Sequence, residues 1–408
     1  MRHTLLLTTL ALSALTACKD SGNGEDTAGT STVGIWTLGS TPCTGSRVDA
    51  LECDDADTCY VGCGQNAEGV GLFLSSDAGG SWDAPDDEAG GYFATMRVNH
   101  LSRGDDGLLY VAGEGSSSYR VVSLDTDSGA LGAVYTNGST VDYSFTAGSF
   151  ATTGDTMVAE SLTGTGIVVK HPGDSAWLAE WEANDGWAAG YGWWNNSGES
   201  GHVQVLDMGV VSGEIVGAGS TINYPPVVYL PPQSWDFGSS SGGDYADQMW
   251  ETVVLNEGAF SQYIGECWGI DGNSDGLAVA CVDQDADRAM VYTIGSDWKT
   301  SAYDASNWTE SDLSTVLSAS LVQDHSTWTR QVCRGPDNLV VAVGADTQDD
   351  TGWMATSTDG GSTWTDHTDD IVEAYGDSFS ALFQCQVVDD HIVAAGAGVM
   401  IQVAVADL

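Results

Sequence analysis

Basic residues are scarce in this sequence. Its 408 residues include 11 Lys and Arg, only three of them Lys, against 58 Asp and Glu, for a net charge of −47 at pH 7. A surface this acidic repels phosphate backbones, which excludes nucleic acid as a partner. Long apolar runs are missing too. The one candidate, Leu5 to Leu15, is too short to span a bilayer, and none follows downstream. No helical period holds over comparable lengths. The seven His form no His-Glu-x-x-His or similar metal spacing, and there is no Gly-x-Ser-x-Gly elbow. Charge self-repulsion on this scale is tolerated where salt screens it or divalent cations bind, so the composition fits a saline or calcium-rich exterior as well as a plain acidic surface.

What the chain does have is a repeat. A short apolar strand ending in a small residue recurs as Tyr60-Val61-Gly62, Tyr110-Val111-Ala112, Met157-Val158-Ala159, Ile215-Val216-Gly217, Ala278-Val279-Ala280, Val340-Val341-Ala342 and Ile392-Val393-Ala394. The steps are 50, 47, 58, 63, 62 and 52 residues, the length of a propeller blade of four short antiparallel strands. A second mark keeps time with the first: Trp82, Trp177, Trp235, Trp298 and Trp364 follow their strands by 20 to 24 residues.

Two turns carry more detail. Ser75-Ser76-Asp77-Ala78-Gly79-Gly80-Ser81-Trp82 and Ser357-Thr358-Asp359-Gly360-Gly361-Ser362-Thr363-Trp364 both read Ser-x-Asp-x-Gly-x-Ser/Thr-Trp. A hydroxyl and a carboxylate two residues apart can hydrogen-bond their own turn, and Gly79 and Gly361 take positive φ at low cost. The pattern resembles the Asp-box, or BNR repeat, of the sialidase-like β-propellers. Seven copies of the repeat predict seven blades of four antiparallel strands, and the resemblance implies an all-β propeller over residues 33–408 with each Trp opening an outermost strand. The seventh repeat ends 16 residues past Ile392, before an outer strand could begin. The run Val33 to Leu38 is expected to supply that strand and to close the ring, since open sheet edges invite aggregation.

Residues 1–18 start basic, continue with the apolar run and end Leu15-Thr16-Ala17-Cys18. They resemble a bacterial lipoprotein signal with its lipobox, which implies a lipid-anchored Cys18 and an exported protein. Lys19 rather than Asp after the cysteine points to the outer membrane, on its periplasmic or cell-surface side. Residues 19–32 are Gly, Ser, Thr and acid and read as a flexible tether. The other eight cysteines are an even number in an exported chain, so disulfides are expected. Cys267 and Cys281 flank one turn and suit a cross-hairpin bridge. Cys43, Cys53, Cys59 and Cys63 leave three connectivities open, and Cys333 and Cys385 remain for a bridge between blades.

Three groups are candidate sites. Asp271-Gly272-Asn273-Ser274-Asp275-Gly276 opens like a calcium loop but lacks its ending, Val282 standing at the twelfth position. Asp283, Asp285 and Asp287 alternate in the next loop, Asp346, Asp349 and Asp350 match them one blade on, and Glu114 and Glu160 fall at similar places. Together they could form an acidic rim that holds a cation, calcium being the candidate. Trp187, Tyr191, Trp193 and Trp194 lie among Gly and Asn, as a stacking platform for sugar rings or as packing between blades. The resemblance does not carry catalysis: sialidases use three arginines, the first in Arg-Ile-Pro, and none of the eight arginines here precedes Ile-Pro. The sequence therefore reads as a non-catalytic, monomeric, lipid-anchored propeller that needs no cofactor and binds a protein, glycan or cation on its channel face. The alternative is a glycan-active hydrolase or lyase.

Overall fold

A computed structural model of the chain describes residues 30–43, 47–63, 71–85, 93, 96–115, 119–136, 145–153, 156–161, 166–170, 178–182, 203–221, 226–231, 251–255, 265–283, 288–317, 327–346, 351–376 and 379–408. It is an all-β propeller. The described strands form seven antiparallel sheets, mostly four-stranded. Six are built wholly from consecutive strands. The remaining one joins both ends of the chain, with Ser31–Val33 and Trp36–Gly39 added to Val399–Ala404, His391–Gly396 and Leu382–Val388. We number the sheets one to seven by their first strands: Val48–Cys53, Arg97–Arg103, Phe145–Thr153, Val203–Val211, Gly265–Asn273, Thr327–Arg334 and Leu382–Val388. Each first strand touches the first strand of the next sheet, and the seventh touches the first, so these strands ring a central channel.

The seven repeated apolar segments are the second strands of the seven sheets. Their composition follows from their position. Gly276–Asp283 and Val340–Asp346 are buried at every residue, because neighbouring sheets cover both faces. Both faces must then be apolar, and the close approach of the sheets keeps the side chains small. Cores lie between adjacent sheets: Val216 and Val228 of sheet four meet Val279 and Tyr292 of sheet five, and Ala342 and Trp353 of sheet six meet Ala278 and Val291. Each such Val contributes about 1.5–3 kcal/mol by burial.

Residues 33–38 do not form one strand. The chain reverses at Gly34, whose φ is 62°, and pairs Val33 with Trp36, leaving Val33 and Ile35 exposed. The second arm pairs Thr37 with Gln402 and Leu38 with Ile401 in sheet seven, and Trp36 is buried there edge-on to His367. Among the described residues sheet one has three strands and one further bridge, Leu74 to Asp83, directly after Trp82.

The two similar turns have the same hydrogen bonds. Ser75 Oγ accepts from the Gly79 N–H at 2.9 Å and donates to Asp77 Oδ1, which accepts from the Ser81 N–H at 2.8 Å. In the other turn Ser357 Oγ accepts from the Gly361 N–H at 2.8 Å, and Asp359 Oδ1 accepts from the Thr363 N–H at 2.8 Å. These donors hold both Asp carboxyls below their usual range. Trp364 stands directly before the outer strand Thr365–Asp366, as expected. Trp298 does not: it starts a one-turn helix, Trp298–Ser301, and the outer strand of its sheet comes later at Thr309–Asp312. Trp177 and Trp235 lie outside the described residues.

Four disulfides staple the ring: Cys43–Cys63, Cys53–Cys59, Cys267–Cys281 and Cys333–Cys385. The third crosses a hairpin between register partners, and the fourth joins the first strands of sheets six and seven.

Candidate functional site

The channel wall is shaped by one backbone device used repeatedly. All seven first strands slip register against their second strands, between Val48 and Ala50, Val98 and His100, Phe145 and Phe150, Val205 and Asp207, Cys267 and Gly269, Thr329 and Gln331, and Leu382 and Gln384. In six sheets this is a bulge that sets one residue outside the ladder and re-aims its side chain, while in sheet three four residues stand between the paired Phe145 and Phe150. In three sheets the second strand accommodates it with glycine. A Cβ on Gly113, Gly344 or Gly396 would stand about 2 Å from the carbonyl oxygen of Arg97, Trp328 or Ala381. In these three sheets a glycine one or two residues beyond the repeated apolar motif thus makes room for the bulge.

Six of the extra residues, Asp49, Asn99, Leu206, Trp268, Arg330 and Phe383, line one cavity of about 260 Å³ at the mouth of the channel, with Arg47, Arg97, His100 and Asp207. This mouth lies at the starts of the first strands. The two matching turns stand at the other end, Ser75 pairing with Cys59 and Cys59 with Cys53. Arg330 sits among aromatic rings, 5.2 Å from the centre of Trp268, 4.7 Å from Trp328 and 5.8 Å from Phe383, and Arg47 lies 5.9 Å from Phe383. Arg47 also pairs with Asp49, and Arg97 with Glu114 at 3.3 Å.

Farther along the same strands a second cavity of about 290 Å³ is lined by Glu52, Ser102, Arg103, Asp207, Asp271 and Gln386 among others. Its polar groups stitch sheets together. Asp207 Oδ2 accepts from the Ile270 N–H at 2.9 Å and from Gln331 Nε2 at 3.2 Å, while Oδ1 lies 3.7 Å from His100 Nδ1. Gln384 Nε2 donates to the Asp49 carbonyl at 2.9 Å, and Gln386 Oε1 accepts from the Cys53 N–H at 2.7 Å. Burial governs the ionisation of these groups. It raises Glu52 to about 7 and Asp207 and Asp271 to about 6, pushes Asp49 up, and lowers His100 to about 4.

Side chains of the expected calcium loop make hydrogen bonds within the protein. Asp271 accepts from the N–H groups of Arg334 and Gly272, each at 2.7 Å. Asn273 donates to the Gly335 carbonyl and accepts from the Asp275 N–H. The guanidinium of Arg334, from sheet six, bonds the carbonyls of Leu277, Ile294 and Asp275 at 2.9, 3.0 and 3.3 Å. A cation does sit beside this turn, but it is a side chain of the protein. Among the described residues no group of three or more His, Cys, Asp and Glu could hold a metal ion.

Of the expected acidic rim, Asp283, Asp346 and Glu114 are among the described residues. Asp283 is buried and takes Nε and Nη2 of Arg288 at 3.0 and 2.5 Å, and Asp346 is buried as well. Asp285, Asp287, Asp349, Asp350, the side chain of Glu160, the aromatic group Trp187, Tyr191, Trp193 and Trp194, and Cys18 lie outside the described residues. The mouth residues escaped the sequence reading. A signal existed: each of the six lies 9 to 11 residues ahead of its repeated apolar strand.

No protein-family model matches the sequence, and no curated protein does. Solved structures are similar in fold. YCF48 from Cyanidioschyzon merolae aligns at TM-score 0.55 and 13% identity over 91% of this chain and 100% of that one. The GH74 xyloglucanase from Xanthomonas campestris aligns at 0.55 and 13% over 91% of this chain and 54% of its own. A catalytically inactive virginiamycin B lyase from Staphylococcus aureus, solved with quinupristin, aligns at 0.53 and 9% over 90% and 98%. At these identities the likeness establishes the propeller fold and nothing finer.

Proposed function

We propose that this chain is an exported, lipid-anchored, non-catalytic propeller that binds a partner, protein or glycan, at the channel mouth lined by Asn99, Trp268, Arg330 and Phe383. One observation carries the reading. A single backbone device delivers six chemically unlike side chains to one mouth, while Asp207 and Asp271 beneath it are engaged by donors from neighbouring strands and sheets. Fixed groups hold the scaffold, and variable groups at its opening read a ligand.

Within this reading the mixed sheet counts as a seventh blade, with Trp36–Gly39 as its closing strand. Support comes from its register with Val399–Ala404 and from the ring of first strands. The identical hydrogen bonds at Asp77 and Asp359 support the Asp-box assignment. The lipobox ending in Cys18 supports the anchor, and Lys19 the outer membrane. Calcium has no necessary part, since Arg334 occupies the neighbourhood of Asp271 and Asp275.

The test is retention of residues 30–408 on arrays of immobilised glycans and peptides, with Trp268→Ala in parallel. The reading expects at least one probe to be retained by the parent and released by the variant. Equal retention by both would contradict the site, and no retention would contradict the function. A second reading, a glycan-active hydrolase or lyase, draws on His100 and the raised carboxylate of Asp207, 3.7 Å apart, and on xyloglucanase and lyase relatives of the same fold. Incubation with a retained probe separates the two: an unchanged probe mass supports the binder, and cleavage supports the enzyme.

A further inference from the structure

Building on the lipid anchor at Cys18, we propose that the hairpin of residues 31–39 docks on a lipid surface through Val33 and Ile35 at its turn, and that this contact points the channel mouth away from the membrane. The argument begins with exposure. Five large apolar side chains are exposed among the described residues, Val33, Ile35, Val134, Val372 and Leu408, and the first two flank Gly34 on a single turn. The fold does not need them there. The hairpin is already held by Trp36, buried in sheet seven, and by the pairing of Thr37 with Gln402.

Polarity suits the turn to lipid. No charged residue stands between Asp26 and Arg47, in a chain with 58 Asp and Glu. An uncharged turn with two apolar side chains can enter the boundary between headgroups and acyl chains without burying a charge.

Position names the occupant. Cys18 stands 12 residues before Thr30, so an acylated cysteine is within about 40 Å of the hairpin even on a fully extended connection. A tether of that length holds the turn at high local concentration beside the bilayer, where a contact too weak to act alone becomes a second attachment. Two attachments fix an orientation that one does not.

The direction follows from the register. Pairing of Leu38 with Ile401 and of Thr37 with Gln402 carries the hairpin's turn toward Ala404, the end of its neighbouring strand. Just beyond, the Val405 N–H donates to the Asp390 carbonyl at 2.7 Å. Asp389 and Asp390 form the turn between the first two strands of sheet seven, so the hairpin's turn lies at the ends of first strands and the mouth at their starts. Asp389, Asp390 and Asp407 are exposed near this end, which favours zwitterionic over anionic lipid.

The test uses the full chain with lipid on Cys18, bound to phosphatidylcholine vesicles. The eight cysteines beyond Cys18 are paired, so one introduced thiol can carry a polarity-sensitive fluorophore. One label goes on Ile35→Cys and one on Ala397→Cys, in the turn at the mouth end of the same sheet. Nitroxide-bearing lipids should quench the first severalfold more than the second, and adding Val33→Asp should abolish the difference. Phosphatidylglycerol in the vesicles should weaken quenching at position 35. Val33→Cys gives the same readout if Ile35→Cys fails to fold. Vesicle-bound protein with equal quenching at the two positions, or stronger quenching at 397, would overturn the docking and leave the anchor standing. Protein that does not float with the vesicles would overturn the anchor and the docking together.

Discussion

Gln331 of sheet six donates from Nε2 to Asp207 Oδ2 of sheet four at 3.2 Å, reaching past sheet five. The same amide lies 3.4 Å from Gln384 Oε1 of sheet seven, so one side chain ties three sheets together at the channel. Gln331→Leu keeps the bulk and removes the donor from a buried carboxylate. Leaving such a group under-satisfied costs about 1–3 kcal/mol. Chemical denaturation should give a lower midpoint at an unchanged slope.

Stability should depend on pH in a defined direction. Glu52, Asp49, Asp207 and Asp271 have folded pKa values raised above those of the unfolded chain, so between about pH 4 and 7 the native state holds more protons. Their contribution is fully present below the unfolded values and is lost as pH rises through the folded ones. His100, lowered to about 4, acts oppositely: its contribution is present above its unfolded value near 6.5 and is lost as pH falls toward 4. Four carboxyls outweigh one imidazole, so the melting temperature should rise from pH 8 to pH 5. Glu52→Gln should flatten the profile between pH 6 and 8.

The two matching turns should be energetically equivalent. Ser75 and Ser357 are both buried, and each serves the N–H of the glycine four residues on. Ser75→Ala and Ser357→Ala should each cost about 1–3 kcal/mol and agree within about 0.5. Thermal melts of the two variants provide the comparison. A large difference would mean that the turns resemble each other without sharing a role.

The disulfides should differ in weight. Cys333–Cys385 spans 52 residues and Cys53–Cys59 spans 6, and the loop-entropy account gives the longer loop the larger stabilisation, within a typical range of about 2–4 kcal/mol. Paired Cys→Ser replacement of the former should lower the melting temperature more than replacement of the latter.

Glycine opposite a bulge should resist change. Gly344→Ala would place a Cβ about 2.0 Å from the Trp328 carbonyl and 2.5 Å from the Trp353 ring. Overpacking of this kind costs about 1–3 kcal/mol, and a melt of the variant checks it.

The legible parts of this chain were those whose cause is local or periodic. The second strands, such as Val340–Asp346, announce themselves because cover on both faces demands small apolar residues throughout. The turns at Asp77 and Asp359 are legible because their hydrogen bonds close within a few residues. The reversal at Gly34 was not legible in the run Val33 to Leu38, which reads as one strand. The role of Arg334 at the turn Asp271 to Gly276 was not legible, because it comes from another sheet, about 60 residues away. Trp298 misled because its spacing suits a strand while the chain there forms a helical turn. The mouth was hidden for a deeper reason. Its residues stand on bulges, which break the two-residue alternation, and Asp49, Asn99, Leu206, Trp268, Arg330 and Phe383 share a position but no chemistry.

The most direct measurement is a crystal structure of residues 30–408 soaked with whichever probe the arrays retain. The account predicts ligand density in the mouth, within contact of Trp268, Arg330 and Phe383. Density confined to the opposite face beside Asp77 and Asp359, or between blades, would contradict it.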